Sequence, residues 1–265
     1  IIEQRLRELL DIPVFHDDQH GTAVVVLAAL SNALKVVDRE IGTVRLVMSG
    51  AGAAGTAVLR LLLTAGLRNV VVCDLEGTVH PSRPGLSAEL RWTAENTNPT
   101  GVSGPLASAL VDADVFVGLS AGRILTGQDI ASMAADAIVF ALANPMPEVD
   151  PIDAARHAAV VATGRSDFAN QINNVLAFPG VFRGLIDAQS RQISTSMLLA
   201  AAYALAELVR PEELNAAYII PSVFHPDVTG VVAAAVQRAA REEGVAEHVH
   251  TSVPGLPERD NLGRE

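Results

Sequence analysis

A short glycine-rich segment, GAGAAG at residues 50–55, restricts the possible folds of this chain more than any other part of the sequence. The apolar run at 44–48 that precedes it is typical of a β-strand, and residues 56–63 that follow it have helical periodicity. Asp74 lies nineteen residues after the last glycine and closes a second apolar run. Together these features form the pattern of a βαβ unit that binds a dinucleotide.

The residues of the glycine segment have separate expected roles. Gly50 allows the tight turn after the strand, and Gly52 lets the backbone approach a pyrophosphate. Gly55 lets the helix pack closely on the strand. The helix N-terminus then directs its free N–H groups at the phosphates, and Ala53 and Ala54 just before it are further candidate contacts for the cofactor.

Asp74 also predicts which dinucleotide is bound. A carboxylate at this position accepts hydrogen bonds from the adenosine ribose hydroxyls and repels a 2′-phosphate. Residues 75–78 contain no Arg or Lys that could neutralise such a phosphate, and Glu76 adds negative charge. The sequence therefore predicts NAD rather than NADP. The alternative is that Asp74 only ends a strand.

The composition narrows the class of protein. Of the 265 residues, 49% are hydrophobic and 18% are charged, which favours a buried parallel α/β sheet over disorder. The net charge of −11 argues against nucleic acid or an anionic membrane as a partner. No uninterrupted apolar stretch approaches the roughly 20 residues that span a bilayer. The single cysteine, Cys73, is interpreted as a small buried hydrophobe, and a cytoplasmic enzyme is expected.

Further apolar runs alternate with helical segments, which predicts an α/β fold with a doubly wound parallel sheet, Rossmann-like, followed by C-terminal helices. The strand-like runs lie at 114–118, 137–142 and 158–162, and the helices at about 194–210 and 227–243. Ligands of such sheets bind beyond the carboxyl ends of the strands. Ser120 follows one of these ends and is a candidate contact for the nicotinamide ribose.

Three segments resemble the malic enzyme family, in particular its short bacterial form. They are IPVFHDDQHGTA at 12–23, ANPMPE at 143–148 and ATGRSDFANQINNVLAFPG at 162–180, and the resemblance covers roughly residues 1 to 243. Members of this family oxidise malate with hydride transfer to NAD(P) and decarboxylate the product to pyruvate, using Mg²⁺ or Mn²⁺. The resemblance implies that residues 1–21 are a helix and metal loop remaining from a substrate domain. Residues 22–250 would then form the NAD-binding domain, and 251–265 a tail.

The resemblance also implies roles for individual residues. Asp18 matches a metal-ligating carboxylate of the family, and Asp17 matches an acid that supports the ligand or the catalytic base. Asn144 and Asn174 match amides that hydrogen-bond the substrate or cofactor, and buried amides would suit that task.

Other interpretations of these residues stay open at the level of sequence. Asp17 and Asp18 could instead satisfy the N-terminus of the helix that starts near Thr22. Asn144 could simply form an Asn-Pro turn. His16 and His20 suggest zinc, although no third soft ligand is nearby. Arg165 and Asp167 could form an ion pair or belong to the site.

The chain departs from the family in its acid–base residues. The family's lysine base, its tyrosine acid and two further metal carboxylates belong to a segment before the matched motif, and no residue here corresponds to them. The only lysine is Lys35, in a helix, and the tyrosines are Tyr203 and Tyr218. The start inside an amphipathic helix suggests a fragment, which we expect to be inactive by itself.

Three functions follow as expectations. The first is NAD-dependent oxidative decarboxylation of malate by a longer protein, which we expect to be a homo-oligomer, a dimer. The second is a malolactic enzyme, which resembles malic enzyme but returns the hydride to give lactate. The third is a stand-alone NAD-binding module without malate chemistry.

Overall fold

The central element is a six-stranded sheet with the order β3-β2-β1-β4-β5-β6. The structure, a computed structural model, describes residues 2–246. Five strands are parallel, and they are β1 (Arg45–Ser49), β2 (Asn69–Asp74), β4 (Val115–Gly118), β5 (Ile138–Ala141) and β6 (Val160–Thr163). This confirms the predicted doubly wound, Rossmann-like α/β fold.

One strand differs from the predicted parallel arrangement. The two-residue β3 (Gly77–Thr78) pairs antiparallel with β2 at the edge of the sheet. Gly77 has φ +106°, so the chain turns back sharply just after Asp74. The sequence of residues 75–78 indicated only a segment without cations, not a strand.

Helices cover both faces of the sheet. Those of the described residues are α1 (Ile2–Leu9), α2 (Thr22–Val36), α3 (Ala53–Thr64), α4 (Ala88–Asn96), α5 (Leu106–Leu110), α6 (Gly127–Ala131), α7 (Pro151–Ala154), α8 (Phe178–Asp187), α9 (Thr195–Glu207) and α10 (Val228–Glu242). The predicted C-terminal helices correspond to α9 and α10. A π-helical turn spans Asp17–Gly21, and a 3-10 turn spans Asn174–Leu176.

The larger core lies on the face covered by α2, α3, α9 and α10. Residues 23–30 of α2 are all fully buried, which explains why this helix is apolar on every side. Helix α8 packs closely on α10, because a Cβ at Gly180 or Gly184 would meet Val232 or Val236 at 2.6–2.7 Å. The smaller core, on the opposite face, is built around Phe116.

Two predictions about the ends of the chain are not tested by the fold. The proposed tail at 251–265 lies outside the described residues, and the division at residue 21 stays a prediction. Among the helices of residues 2–246, none is long and apolar enough to cross a membrane.

Candidate dinucleotide site

The three glycines of the 50–55 segment have different surroundings, and the fold requires only two of them. Gly50 has φ +110°, and a Cβ there would lie 2.5 Å from the carbonyl oxygen of Leu119. A Cβ at Gly55 would overlap the carbonyl oxygen of Gly50, so this residue brings α3 against the loop. At Gly52, by contrast, a Cβ would meet no atom within 4 Å. Nothing in the protein itself requires the glycine at 52.

Gly52 is also the N-cap of α3, and no side chain caps that helix. The first N–H groups of α3, beginning with Ala53 and Ala54, therefore lack helical partners and point toward the space beside Gly52. A helix N-terminus of this kind attracts anions. The open space and the free donors together form a cradle for a phosphate group.

This cradle opens into a cleft of about 1580 Å³ along the carboxyl ends of β1, β2 and β4. Of the predicted cofactor residues, the cleft is lined by Gly50, Gly52, Ala53, Asp74 and Ser120. A cleft of this size at this edge of a parallel sheet is where dinucleotides bind in such folds.

The Asp74 carboxylate is held by a cation that the sequence analysis missed. Arg83 Nη1 donates to Asp74 Oδ1 at 2.8 Å, and Arg83 Nη2 donates to Oδ2. The backbone N–H of Glu76 also donates to Oδ1, at 2.9 Å. Partial burial would raise the pKa of Asp74, but the hydrogen bonds from Arg83 and Glu76 hold it below its usual value. Residues 75–78 do lack Arg and Lys, but Arg83 reaches back from the loop after β3 and brings a cation to Asp74.

Ser120 and Asn144 follow β4 and β5. Ser120 is exposed to the cleft, and its Oγ lies 2.8 Å from Ser49 Oγ at the end of β1. Asn144 is exposed rather than buried, so the predicted buried amide was wrong at this position. Its side chain lies against Gly164, where a Cβ would be 3.2 Å from Asn144 Nδ2. A role for Asn144 with substrate or cofactor stays a prediction.

Asp17 and Asn174 meet although 157 residues separate them in the chain. Asn174 Nδ2 donates to Asp17 Oδ2 at 2.5 Å, while Asp17 Oδ1 is buried without a hydrogen-bond partner. Burial, and next the charge of Asp18, raise the pKa of Asp17. Asp17 and Asp18 lie in the first turn of the π-helical segment that leads into α2, as the helix-capping alternative supposes, but no side-chain hydrogen bond caps that segment at His16 or α2 at Gly21.

Asp18, the predicted metal ligand, is exposed beside Asp17. Over residues 2–246 no group of three or more His, Cys, Asp or Glu side chains is close enough to hold a metal ion. His20 Nε2 lies 2.8 Å from Glu3 Oε1, so its partner is a carboxylate of α1. Burial lowers the pKa of His20 despite that carboxylate. A metal here would need oxygen donors in addition to Asp18 and the unpartnered oxygen of Asp17.

Arg165 and Asp167, whose role the sequence left open, form an ion pair. Arg165 donates to Asp167 from Nε at 2.8 Å and from Nη2 at 2.6 Å. The guanidinium of Arg165 also lies over the ring of Phe168, 5.2 Å from its centroid. Cys73 is buried, which raises the pKa of its thiol to about 12 and agrees with its predicted role as a small hydrophobe.

Comparison with known proteins places this geometry in a family. The family model described as "Malic enzyme, NAD binding domain" matches residues 19–241. A NAD-dependent malic enzyme of Geobacillus stearothermophilus is 51% identical over 96% of this chain and 53% of its own length. A bifunctional malic/malolactic enzyme of Bacillus subtilis is 49% identical over 93% of this chain and 60% of its own. An NADP-dependent malic enzyme of Rhizobium meliloti is 45% identical over 93% of this chain and 34% of its own.

A solved structure agrees with these matches. The malic enzyme from Pyrococcus horikoshii superposes with a TM-score of 0.87 at 46% identity, covering 92% of this chain and 59% of that one. The chain thus spans only part of these relatives, from 34% of the Rhizobium meliloti enzyme to 60% of the Bacillus subtilis enzyme.

Proposed function

The chain belongs to the malic enzyme family, and from this premise we propose that it is the NAD-binding part of an enzyme that oxidises malate and decarboxylates it to pyruvate. The observation that carries the proposal is the empty space at Gly52. That glycine lies beside the uncapped N-terminus of α3, yet the protein itself does not need a glycine there. A ligand phosphate that must approach the backbone explains both facts.

The cleft accommodates the two halves of NAD on either side of this cradle. Toward β2, the adenosine half would lie near Asp74 and the fully exposed side chain of Leu75. Toward β4, the nicotinamide half would lie near Ser120. The cleft continues to Gln19 and His20, so the nicotinamide end approaches the Asp17–Gly21 turn.

The charges around Asp74 favour NAD over NADP. Asp74 and Glu76 present two carboxylates, and the Arg83 guanidinium beside them is already bound to Asp74. A 2′-phosphate would add about two negative charges beside Asp74, Glu76 and Arg83, whose net charge is already negative. NADP binding would therefore require Arg83 to leave Asp74.

The residues near the turn at Asp17 fit the malate end of the reaction. Asp18 and the unpartnered oxygen of Asp17 are hard oxygen donors of the kind that Mg²⁺ and Mn²⁺ prefer. A divalent cation held by these oxygens together with further donors would polarise the oxygen on the carbon that loses hydride. Asp17 fixes the amide of Asn174 through its hydrogen bond, which orients that amide for contact with a dicarboxylate.

The proposal is tested in two steps. Calorimetric titration of the 265-residue chain should show saturable binding of one NAD, tighter than NADP. Mixing or fusing the chain with the N-terminal part of a short bacterial relative should then yield NADH from malate in the presence of Mn²⁺. NAD binding without restored turnover would favour a stand-alone module, and the absence of NAD binding would refute the proposal.

The malolactic alternative is retained because one relative is described as bifunctional, malic and malolactic. The two reactions differ in the fate of the hydride. Accumulation of NADH and pyruvate in the restored enzyme supports the malic reaction, whereas lactate without NADH supports the malolactic one.

A further inference from the structure

Glu148 is the most deeply buried carboxylate among the described residues, with 0% of its surface exposed. Its Oε1 accepts hydrogen bonds from the backbone N–H of Ser120 at 2.9 Å and from Ser120 Oγ at 3.4 Å. Its Oε2 accepts from the backbone N–H of Ala143 at 3.0 Å. Both carboxylate oxygens are therefore used, each by a different loop.

The space that the Glu148 carboxylate occupies is available only because residue 118 is a glycine. A Cβ at Gly118, the last residue of β4, would lie 2.6 and 2.7 Å from the two carboxylate oxygens of Glu148. Only glycine fits there. Burial raises the pKa of Glu148, and the backbone hydrogen bonds from Ser120 and Ala143 oppose that shift. Burial of an acid is costly unless specific donors compensate it, so a neutral side chain would be the simpler choice for a purely structural filler.

The two loops that Glu148 joins are those that follow β4 and β5. One carries Ser120, whose hydroxyl also contacts Ser49 next to the glycine segment. The other continues from Ala143 into Asn144. Glu148 thus connects the carboxyl ends of three neighbouring strands through hydrogen bonds only, at the side of the cleft away from Asp74.

We propose that Glu148 is a positioning residue that holds the Ser120 and Ala143 loops together and thereby shapes the nicotinamide side of the cleft. The inference rests on the proposed dinucleotide binding. Glu148 itself does not line the cleft, so it acts through the backbone of Ser120 rather than by touching the cofactor. The adenosine side, which is formed by residues after β2, does not depend on it.

The test separates the two halves of the cofactor. In Glu148→Gln the side-chain volume is kept, but one amide N–H₂ must face a backbone N–H that now has no acceptor. We expect the Kd for NADH, measured by fluorescence titration, to rise at least tenfold, while the Kd for ADP changes less than twofold.

The matched control is Asp150→Asn, which makes the same change from carboxylate to amide in the same loop. Asp150 is exposed, and the hydrogen bond described for its carboxylate comes from the backbone N–H of Ile152, at 2.8 Å. It should leave both Kd values unchanged.

The outcomes are distinct. Equal weakening of NADH and ADP would show a merely structural role and overturn the inference, as would unchanged NADH binding in Glu148→Gln. Failure of the unsubstituted chain to bind NADH would refute the proposed function and this inference with it. Binding by the unsubstituted chain, with no selective effect in the variant, would refute this inference alone.

A second measurement applies if Glu148→Gln does not fold. Amide hydrogen exchange of the unsubstituted chain should show protection at Ser120 and Ala143, although both lie in loops. Addition of NADH should slow hydrogen exchange at both amides at least tenfold further, since the Glu148 carboxylate accepts hydrogen bonds from both. A change at Ser120 alone, with Ala143 unaffected, would contradict the inference.

Discussion

Replacing Gly52 by valine should remove NAD binding and leave the fold intact. Gly52 has φ −78° and ψ −168°, an extended conformation that any residue adopts, and no atom lies within 4 Å of its Cβ position. Replacing the glycine reduces the conformational entropy of the unfolded chain, which stabilises the folded protein by about 0.4–1 kcal/mol. The poorer N-cap costs up to about 1 kcal/mol. The net change is within about 1 kcal/mol, so we expect a Tm within about 4 °C of the unsubstituted chain.

The effect on binding is much larger. The valine side chain would occupy the space where the pyrophosphate must approach the N–H groups of α3. Hydrogen bonds to a charged group contribute about 1.5–3 kcal/mol each. The loss of two such bonds is worth at least 3 kcal/mol, which corresponds to about a hundredfold increase in Kd for NAD. Calorimetric titration with NAD, together with thermal unfolding followed by circular dichroism, measures both quantities.

Gly50→Val is the matched control for the fold. Gly50 has φ +110°, and its Cβ would lie 2.5 Å from the Leu119 carbonyl oxygen, so the substitution forces both strain and a clash. Backbone strain of this kind costs about 1–3 kcal/mol, and its Tm should fall clearly below that of Gly52→Val. The reasoning is refuted if Gly52→Val binds NAD as tightly as the unsubstituted chain. It is also refuted if Gly52→Val unfolds as readily as Gly50→Val.

Three further predictions concern charge, pH and the metal. Asp74→Ser combined with Glu76→Lys frees Arg83 and adds a cation, so the Kd ratio of NADP to NAD should fall at least tenfold; an unchanged ratio would contradict the charge argument. Since the folded-state pKa of Asp74 lies below its unfolded value of about 3.9, its ion pair should stabilise the fold above that pH, and the stability is lost as the pH falls through the folded pKa. The Tm difference between the unsubstituted chain and Asp74→Asn should therefore be constant from pH 5 to 8 and shrink in more acidic solution; a difference that grows toward acid would contradict the assignment. Residues 1–265 alone should not form NADH from malate. The residue expected to act as the base is not among them, and a positioned base contributes roughly 10²–10⁴-fold to the rate. The single carboxylate of Asp18 should also bind Mn²⁺ only weakly. In the restored enzyme, Asp18→Asn should remove most activity and leave the Kd for NAD unchanged, and sustained turnover by the chain alone would disprove this account.

The parts of the site that could be predicted from the sequence are those set by local spacing. The glycine segment, the strand before it and Asp74 lie within one βαβ unit, so their relative positions follow from regular geometry. The same holds for Ser120, because it follows a strand directly. The parallel sheet was predictable for the same reason, as its apolar runs are separated by helices.

The rest depends on contacts that spacing does not fix. Arg83 reaches Asp74 because the Gly77 turn reverses the chain, and nothing in the composition of 75–78 indicates that turn except the glycine. Asp17 meets Asn174 only through the packing of distant segments. Glu148 has one signal in the sequence, an acid placed directly before buried Val149, but the Ser120 donors that satisfy it lie in another loop, and the Ala143 donor lies five residues earlier in its own loop.

The central claim is that the cleft along β1, β2 and β4 binds NAD, and amide chemical-shift mapping tests it most directly. Titration of the ¹⁵N-labelled chain with NAD should give saturable shifts concentrated at Gly50, Gly52, Ala53, Asp74 and Ser120. The amides of α10, none of whose residues lines the cleft, should not move. Absence of saturable shifts, or shifts confined to residues outside the cleft, would contradict the account.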